Sequence, residues 1–333
     1  MKKIVVTGGT GLLGSALIRG LAANPEYQIV SIARNVENTP NDITQFKNVQ
    51  SVAGDILDLP FLEQTLQGAD VVIHTAAMVS FHKSDLKQLF EINVTGTENI
   101  VNTCLDLHTP RLIHVSSVAA IGKPDKVIDS KTRLDVSEDY KYQDSPLISA
   151  YGKSKYLAEL EVWRGQAEGL ETVVINPSVI LGEGDWSSSS TQLFKYVYDQ
   201  NKFLTGGFLN YVDVKDVVAI LLQLVTSKIS NSRYIVNSGH VSYKEFFDLI
   251  AENFGVKAPS ISLSKWPIEI LWRLEALRSF LFGSKPLITK ETALAARSNV
   301  YFDNQKIIKE LGINFTPLSE TIGRITSFLK THQ

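Results

Sequence analysis

Thr7-Gly8-Gly9-Thr10-Gly11-Leu12-Leu13-Gly14 follows the apolar run Ile4-Val5-Val6 and leads into a helix-like stretch, Leu13 to Ala23. Strand, glycine-rich turn and helix in that order form the context a dinucleotide site requires. Gly8 can take the tight turn without a Cβ penalty, and Gly11 lets a pyrophosphate approach the backbone. Gly14 lets helix and strand pack closely. Thr7, Gly8, Thr10, Gly11, Leu12, Leu13 and Gly14 are therefore read as cofactor-binding, in a TGxxGxxG spacing rather than GxGxxG.

Outward from this turn, strand and helix patterns alternate. Short β-branched runs predict strands at 3–7, 28–33, 49–53, 70–74, 111–115, 171–175 and 232–236. Helical patterns fill 12–23, 59–67, 84–107, 150–167 and 214–227. Runs such as Val71-Val72-Ile73 and Thr172-Val173-Val174-Ile175 are apolar throughout, which indicates burial on both faces of a parallel sheet. The expected fold is α/β, a doubly wound parallel (Rossmann) sheet with a smaller C-terminal substrate-binding lobe. Residues 1–178 and 212–237 are assigned to the nucleotide domain, 179–211 and 238–333 to the lobe. Gly182 to Asp185 and Ser187 to Ser190 read as a polar loop, and after Gly239 no regular alternation returns.

Composition sets bounds. The chain has 333 residues, is 44% hydrophobic and carries a formal charge of -2, which offers nothing to a nucleic-acid partner. Its one cysteine, Cys104, excludes an internal disulfide, fits a cytoplasmic location, and is read as a packing residue of the 84–107 helix. Met1-Lys2-Lys3 precedes an apolar run that breaks at Thr7-Gly8-Gly9, too short for a secretory leader. No apolar run is long enough for a spanning helix, and no metal site is expected.

The catalytic candidates are Ser117, Tyr151 and Lys155. Tyr151-Gly-Lys-Ser-Lys155 opens a helix, so tyrosine and lysine share a face. A nearby ammonium is expected to lower the tyrosine pKa toward working pH, for protonating a carbonyl while a nicotinamide delivers hydride. Ser116-Ser117 follows the strand ending at Val115, which places a hydroxyl at its carboxyl end. Cofactor choice turns on the second strand, which ends in Ala33-Arg34-Asn35 with no acid for a ribose 2′-hydroxyl. Arg34 suits a 2′-phosphate, so NADP(H) is preferred to NAD(H).

With these residues in place the chain resembles the extended short-chain dehydrogenase/reductase family, over nearly its whole length. The resemblance assigns Asp55 and Ile56 of Gly54-Asp55-Ile56 to adenine, and Thr75, Ala76 and Ala77 of His74-Thr75-Ala76-Ala77 to the cofactor. It makes Asn93, in Asn93-Val94-Thr95-Gly96-Thr97, a support for the active-site lysine, often through water. Ser117 falls on the catalytic serine, with Ser116 the alternative. Val115 and Ser116 at that strand end, with Pro177 and Ser178 after a later one, line the cofactor. Tyr211 to Asp216 matches the return into the nucleotide domain, and Asp213 and Asp216 are read as ties between lobe and sheet.

Within the family, Val118-Ala119-Ala120 lacks the acid that dehydratases place beside the catalytic hydroxyl. Gly207-Phe208-Leu209-Asn210 lacks the arginine with which nucleotide-sugar epimerases bind diphosphate, although Arg233 and Arg297 could compensate. Each charge-assisted hydrogen bond so lost is worth about 1.5–3 kcal/mol. Asn176-Pro177-Ser178 resembles dihydroflavonol 4-reductase and related carbonyl reductases, which implies hydride from the B face of the nicotinamide. The alternatives are a nucleotide-sugar epimerase, a 3β-hydroxysteroid dehydrogenase-like enzyme or a non-catalytic NADP(H)-sensing regulator. The expected partner is a small carbonyl substrate, and a homodimer follows from the resemblance. The stripe Ile270, Leu274, Leu277 and Leu281 makes 266–282 either a helix over the cleft or a membrane-surface helix presenting Trp266, Trp272, Phe280 and Phe282.

Overall fold

The computed structural model describes residues 1–122, 133–145, 148–186, 190–262 and 299–332. The first half runs β1 (Lys2–Thr7), α1 (Leu12–Ala22), β2 (Tyr27–Ala33), β3 (Val49–Ala53), α2 (Leu59–Leu66), β4 (Val71–His74), α3 (Leu86–Phe90), α4 (Gly96–Asp106), β5 (Arg111–Val115), β6 (Leu134–Val136) and α5 (Ala150–Ala167). The second runs β7 (Glu171–Pro177), β8 (Val179–Leu181), α6 (Thr191–Tyr198), β9 (Phe203–Leu204), β10 (Phe208–Asp213), α7 (Val214–Thr226), β11 (Ser232–Val236), β12 (Gly239–Ser242), α8 (Tyr243–Phe254), β13 (Ile261–Ser262), β14 (Val300–Phe302), α9 (Gln305–Leu311) and α10 (Leu318–Thr331).

Seven strands form one sheet in the order β11-β7-β5-β4-β1-β2-β3, every pairing parallel. These are the seven strands expected from the apolar runs. Their continuous hydrophobicity has a plain cause. Ile4 and Val6 enter a core with Leu17, Ile18 and Leu21 of α1 and Ile220, Leu221 and Leu224 of α7. Val5 faces the other way, into a core with Leu62 and Leu66 of α2, Ile100 and Cys104 of α4 and Val162 of α5. Val173 and Ile175 against Val174 repeat the alternation on β7. Each such side chain, fully buried, contributes roughly 1.5–3 kcal/mol. Burial pushes the Cys104 thiol up to about 12, as befits an inert packing residue.

The strand order reverses between β1 and β4, because the chain leaves β1 toward β2 and β3 and then returns to β4 on the other side. A ligand crevice forms at such a reversal, above the carboxyl ends of the strands. The segment expected as one helix over 84–107 is helical but not uniform. Between α3 and α4 the turn widens into a π-helical one at Glu91–Thr95, which contains Asn93. The extra residue per turn redirects the side chains that follow.

The other strands form smaller sheets, one of them pairing β6 with β14. β10 pairs in parallel with β8 and antiparallel with β12. Leu181, Phe194, Leu209, Phe246, Ile250, Ile322 and Ile325 form a third core that joins this sheet to α6, α8 and α10. The stretch 266–282 lies outside the described residues, as do Arg297 and Ser187 to Ser189. No helix among the described residues is long and apolar enough to cross a membrane.

Candidate functional site

At the glycine turn, Gly8 has φ +75°, a left-handed conformation that L side chains rarely adopt. A Cβ on Gly14 would stand 2.1 Å from the Gly8 carbonyl oxygen, so helix and turn meet only through glycine. The Gly8 and Gly9 amides both donate to Ile32 at the end of β2 (3.0 and 3.2 Å), which fixes the turn over the sheet. Gly11 caps α1 without a side-chain bond and no acid lies in the first turn. The amides of that turn therefore face outward with no internal acceptor, which suits a diphosphate. Two residues past Ile32, Arg34 is exposed and engaged in no hydrogen bond or ion pair among the described residues.

A directed chain of hydrogen bonds ties this turn to β4. Thr97 Oγ1 donates to the Asn93 carbonyl (2.7 Å) and so accepts from His74 Nε2 (3.0 Å). His74 Nδ1 must then accept from Thr7 Oγ1 at 2.7 Å. Thr7 Oγ1 in turn accepts from the Ala76 amide (3.2 Å), and Thr75 Oγ1 donates to the Thr7 carbonyl (2.6 Å). Burial, then the charge of Lys155, pull His74 down to about 3, so it is a neutral structural link. Thr75 and Ala76 thus lie beside the turn, and Ala77 after them is exposed. Asp55 uses one oxygen to accept from Leu57 N (3.0 Å), and Ile56 is held to α4 by Asn99 Nδ2 on its carbonyl (3.1 Å).

Asn93 is tied into the site by three hydrogen bonds. Its amide nitrogen donates to Met78 O and Ser154 Oγ, both at 2.9 Å, and its oxygen accepts from Met78 N at 2.7 Å. Its donors are spent on the loop after β4 and on α5, and none reaches Lys155. The π turn delivers it there, against Ser154, the residue before Lys155.

Ser117 follows β5 and caps the short turn at Val118–Ala120, its hydroxyl accepting from Ala119 N at 3.2 Å. Ser149 Oγ caps α5 by accepting from Gly152 N (3.0 Å), which starts the helix just before Tyr151. Lys155 is 2% exposed and donates to the Val115 carbonyl at 2.9 Å. The Tyr151 pKa is a correction. Burial raises it above the ordinary tyrosine range, with the Ser117 hydroxyl opposing, instead of the lowering expected from the ammonium. Lys155 itself is brought down to about 8 by burial, with Glu159 opposing. Desolvation outweighs the charges because Lys155 is buried and Tyr151 is half-buried beside Phe81.

Ser116 and Ser178, after the adjacent strands β5 and β7, are buried with hydroxyls that have no partner among the described residues. Two orphaned hydroxyls where Val115 and Pro177 end their strands fit the polar edge of a nicotinamide. Asn176 Nδ2 donates both to the Ser117 carbonyl (2.8 Å) and to Glu159 Oε1 (2.5 Å). Arg233, offered by the sequence as a diphosphate ligand, is instead paired with Glu159 and with the Glu138 carbonyl.

Sequence reasoning missed Glu159 and Phe81. The buried face of α5 runs Lys155, Ala158, Glu159 and Val162, so a second charge one turn past the lysine was the available signal for Glu159. The Phe81 ring meets Tyr151 edge-on at 6.0 Å, and Val79 beside it is 54% exposed. No pattern marks that loop in the sequence. Phe208 lies stacked on His240 at 4.6 Å. Among the described residues no group of His, Cys, Asp or Glu is placed to hold a metal ion.

Comparison with known proteins agrees with this geometry. The sequence profile of the 3-beta hydroxysteroid dehydrogenase/isomerase family matches residues 5–265. A Synechocystis protein named "Putative dihydroflavonol 4-reductase" is 29% identical over 340 residues, 98% of this chain and 94% of that one. The 3 beta-hydroxysteroid dehydrogenase/Delta 5→4-isomerase of Vaccinia virus (strain Copenhagen) is 27% identical over 344 residues, 96% and 95% of the two chains. The solved UDP-glucuronic acid 4-epimerase of Bacillus cereus in complex with NAD has a TM-score of 0.77 at 18% identity over 99% of each chain, a likeness of fold. The chain belongs to the 3-beta hydroxysteroid dehydrogenase/isomerase family, within the extended short-chain dehydrogenase/reductases, and is an NAD(P)-dependent enzyme of that type.

Proposed function

We propose that this chain reduces an aldehyde or ketone with NADP(H), in the manner of dihydroflavonol 4-reductase. The observation that carries the reading is the placement of Ser117 just past β5 and Tyr151 at the start of α5, with buried Lys155 one helical turn further along and bonded to the Val115 carbonyl two residues before Ser117. A phenol kept protonated by burial is an acid with a proton to give. Ser117 orients the carbonyl oxygen, Tyr151 passes it the proton, and the Lys155 ammonium stabilises the phenolate left behind. The nicotinamide, when bound, supplies the hydride.

The first turn of α1, with Thr7 to Gly14, would hold the diphosphate, and Asp55 and Ile56 the adenine. Thr75 to Ala77, Val115, Ser116, Pro177 and Ser178 would line the nicotinamide half, and Lys155 would also bond its ribose. Exposed Arg34 at the end of β2, where no acid stands, supports NADP(H) over NAD(H). The lobe assigned to 179–211 and 238–333 would receive the substrate. The compartment we infer is the cytoplasm, from the single buried cysteine, and a homodimer rests on the resemblance alone.

A second reading, hydroxysteroid oxidation or reduction, is favoured by Val79 and Phe81, which give Tyr151 an apolar neighbourhood. Nucleotide-sugar chemistry is weakened by the commitment of Arg233 to Glu159. The test is a spectrophotometric screen of NADPH oxidation over aldehydes, ketones, dihydroflavonols, keto-steroids and nucleotide sugars, repeated with NADH. Turnover of neutral carbonyl compounds with NADPH preferred is expected. Turnover confined to nucleotide sugars, or NADH used as well as NADPH, overturns the reading, and cofactor binding without any turnover favours a regulator.

A further inference from the structure

Glu159 lies on the buried face of α5, one turn past Lys155, and is 1% exposed. A carboxylate so placed costs several kcal/mol unless it is paired and hydrogen-bonded. Here it is both. Oε1 accepts from Asn176 Nδ2 at 2.5 Å, and Oε2 pairs with Arg233 Nη1 at 3.3 Å. Asn176 and Arg233 come from adjacent parallel strands, where Ile235 is the register partner of Asn176. The same Asn176 amide donates to the Ser117 carbonyl at 2.8 Å. One carboxylate is thus a single residue removed from the serine and one helical turn from the lysine.

The groups facing Lys155 make that position telling. From its own helix come Tyr151 and Glu159, from β4 His74, and from β5 His114 and the Val115 carbonyl. The His74 and His114 rings lie tilted against each other with centroids 5.2 Å apart, and both are neutral, drawn down first by burial and then by Lys155. Glu159 is the one negative charge in this set.

We propose that Glu159 is a positioning residue of the active site, which keeps Lys155 charged at neutral pH and, through Asn176, sets the place of Ser117. The first half concerns the protein without cofactor, and the second rests on the catalytic reading given above. Removal of the carboxylate charge leaves the ammonium buried against a carbonyl alone, so its proton leaves at lower pH.

The test titrates the cofactor-free full chain, labelled with 13Cε-lysine, by NMR, with the Lys155 resonance assigned through Lys155→Met. A wild-type midpoint near 8 is expected. Glu159→Gln, whose amide oxygen still accepts from Asn176, should move it down by roughly one pH unit. An unchanged or raised midpoint overturns the proposal, since a merely structural ion pair would lower Tm and leave the titration in place. Should Glu159→Gln fail to fold, Arg233→Gln removes the cation that competes for Glu159 and should raise the midpoint, while no rise overturns it. For the second half, Asn176→Ala, which removes the donor shared by the Ser117 carbonyl and Glu159, should lower kcat about tenfold with KM for NADPH unmoved. Unchanged kcat removes the link to Ser117. Because the NMR titration needs no turnover, its failure is separate from failure of the carbonyl chemistry.

Discussion

Two clusters of charge among the described residues are built to opposite rules. In one, Arg324 on α10 pairs with Glu183 after β8 and with Asp213 at the start of α7. Asp213 also caps α7 through Lys215 N (2.8 Å) and accepts from Thr321 Oγ1 (2.6 Å). Nearby, Asp216 takes the Thr316 amide and hydroxyl, at 2.9 and 2.7 Å. Burial pulls the Arg324 guanidinium down, but the bonds and charges of Glu183 and Asp213 leave it above the usual arginine range. In the other cluster Lys155 donates to one carbonyl, and burial wins, bringing it to about 8. A charge that holds the lobe helix to the sheet is saturated with partners. A charge held for chemistry is left short of them.

Breaking the first cluster has the larger effect on stability. Arg324→Met leaves Asp213 and Glu183 without their cation, and denaturant unfolding should report a loss of about 3–5 kcal/mol. The kcat of the folded fraction should stay as in the wild type, and a loss of kcat with stability intact would place Arg324 in the chemistry.

The second cluster should respond with the opposite sign. The folded-state pKa of Lys155 lies below its unfolded value of 10.5, so the unfolded chain binds the extra proton between about 8 and 10.5. Through that window this group makes the wild type more stable as pH rises, and below about 8 the full cost is present. Lys155→Met should therefore stabilise the fold at pH 7 by up to about 3 kcal/mol, flatten the pH dependence of stability above 8 and abolish turnover. A destabilised Lys155→Met would show that the lysine is a structural charge like Arg324.

The same contrast explains what the sequence made legible. The strands of the main sheet were visible because each must be apolar on both faces, as Val5 between Ile4 and Val6 illustrates. The glycine turn and the Tyr151–Lys155 pair were visible because their spacing is local, and Ser117 because it follows a strand end. The π turn at Asn93 was not, since the helical period on either side conceals one extra residue. The raised pKa of Tyr151 depends on enclosure, which no spacing reveals. Glu159 meets Arg233 from 74 residues away, so the sequence could show an unpaired arginine but not its partner. Asp213 and Asp216, read as ties between lobe and sheet, do hold α10 and the Thr316 segment.

The most direct test of the central claim is Tyr151→Phe, measured by NADPH fluorescence titration and by turnover of the best carbonyl substrate. The variant keeps the ring against Phe81 and removes the proton donor. Cofactor affinity should be unchanged while kcat falls about 10²–10⁴-fold, the range of a lost general acid. Turnover near that of the wild type would contradict the assignment of Tyr151 as the acid.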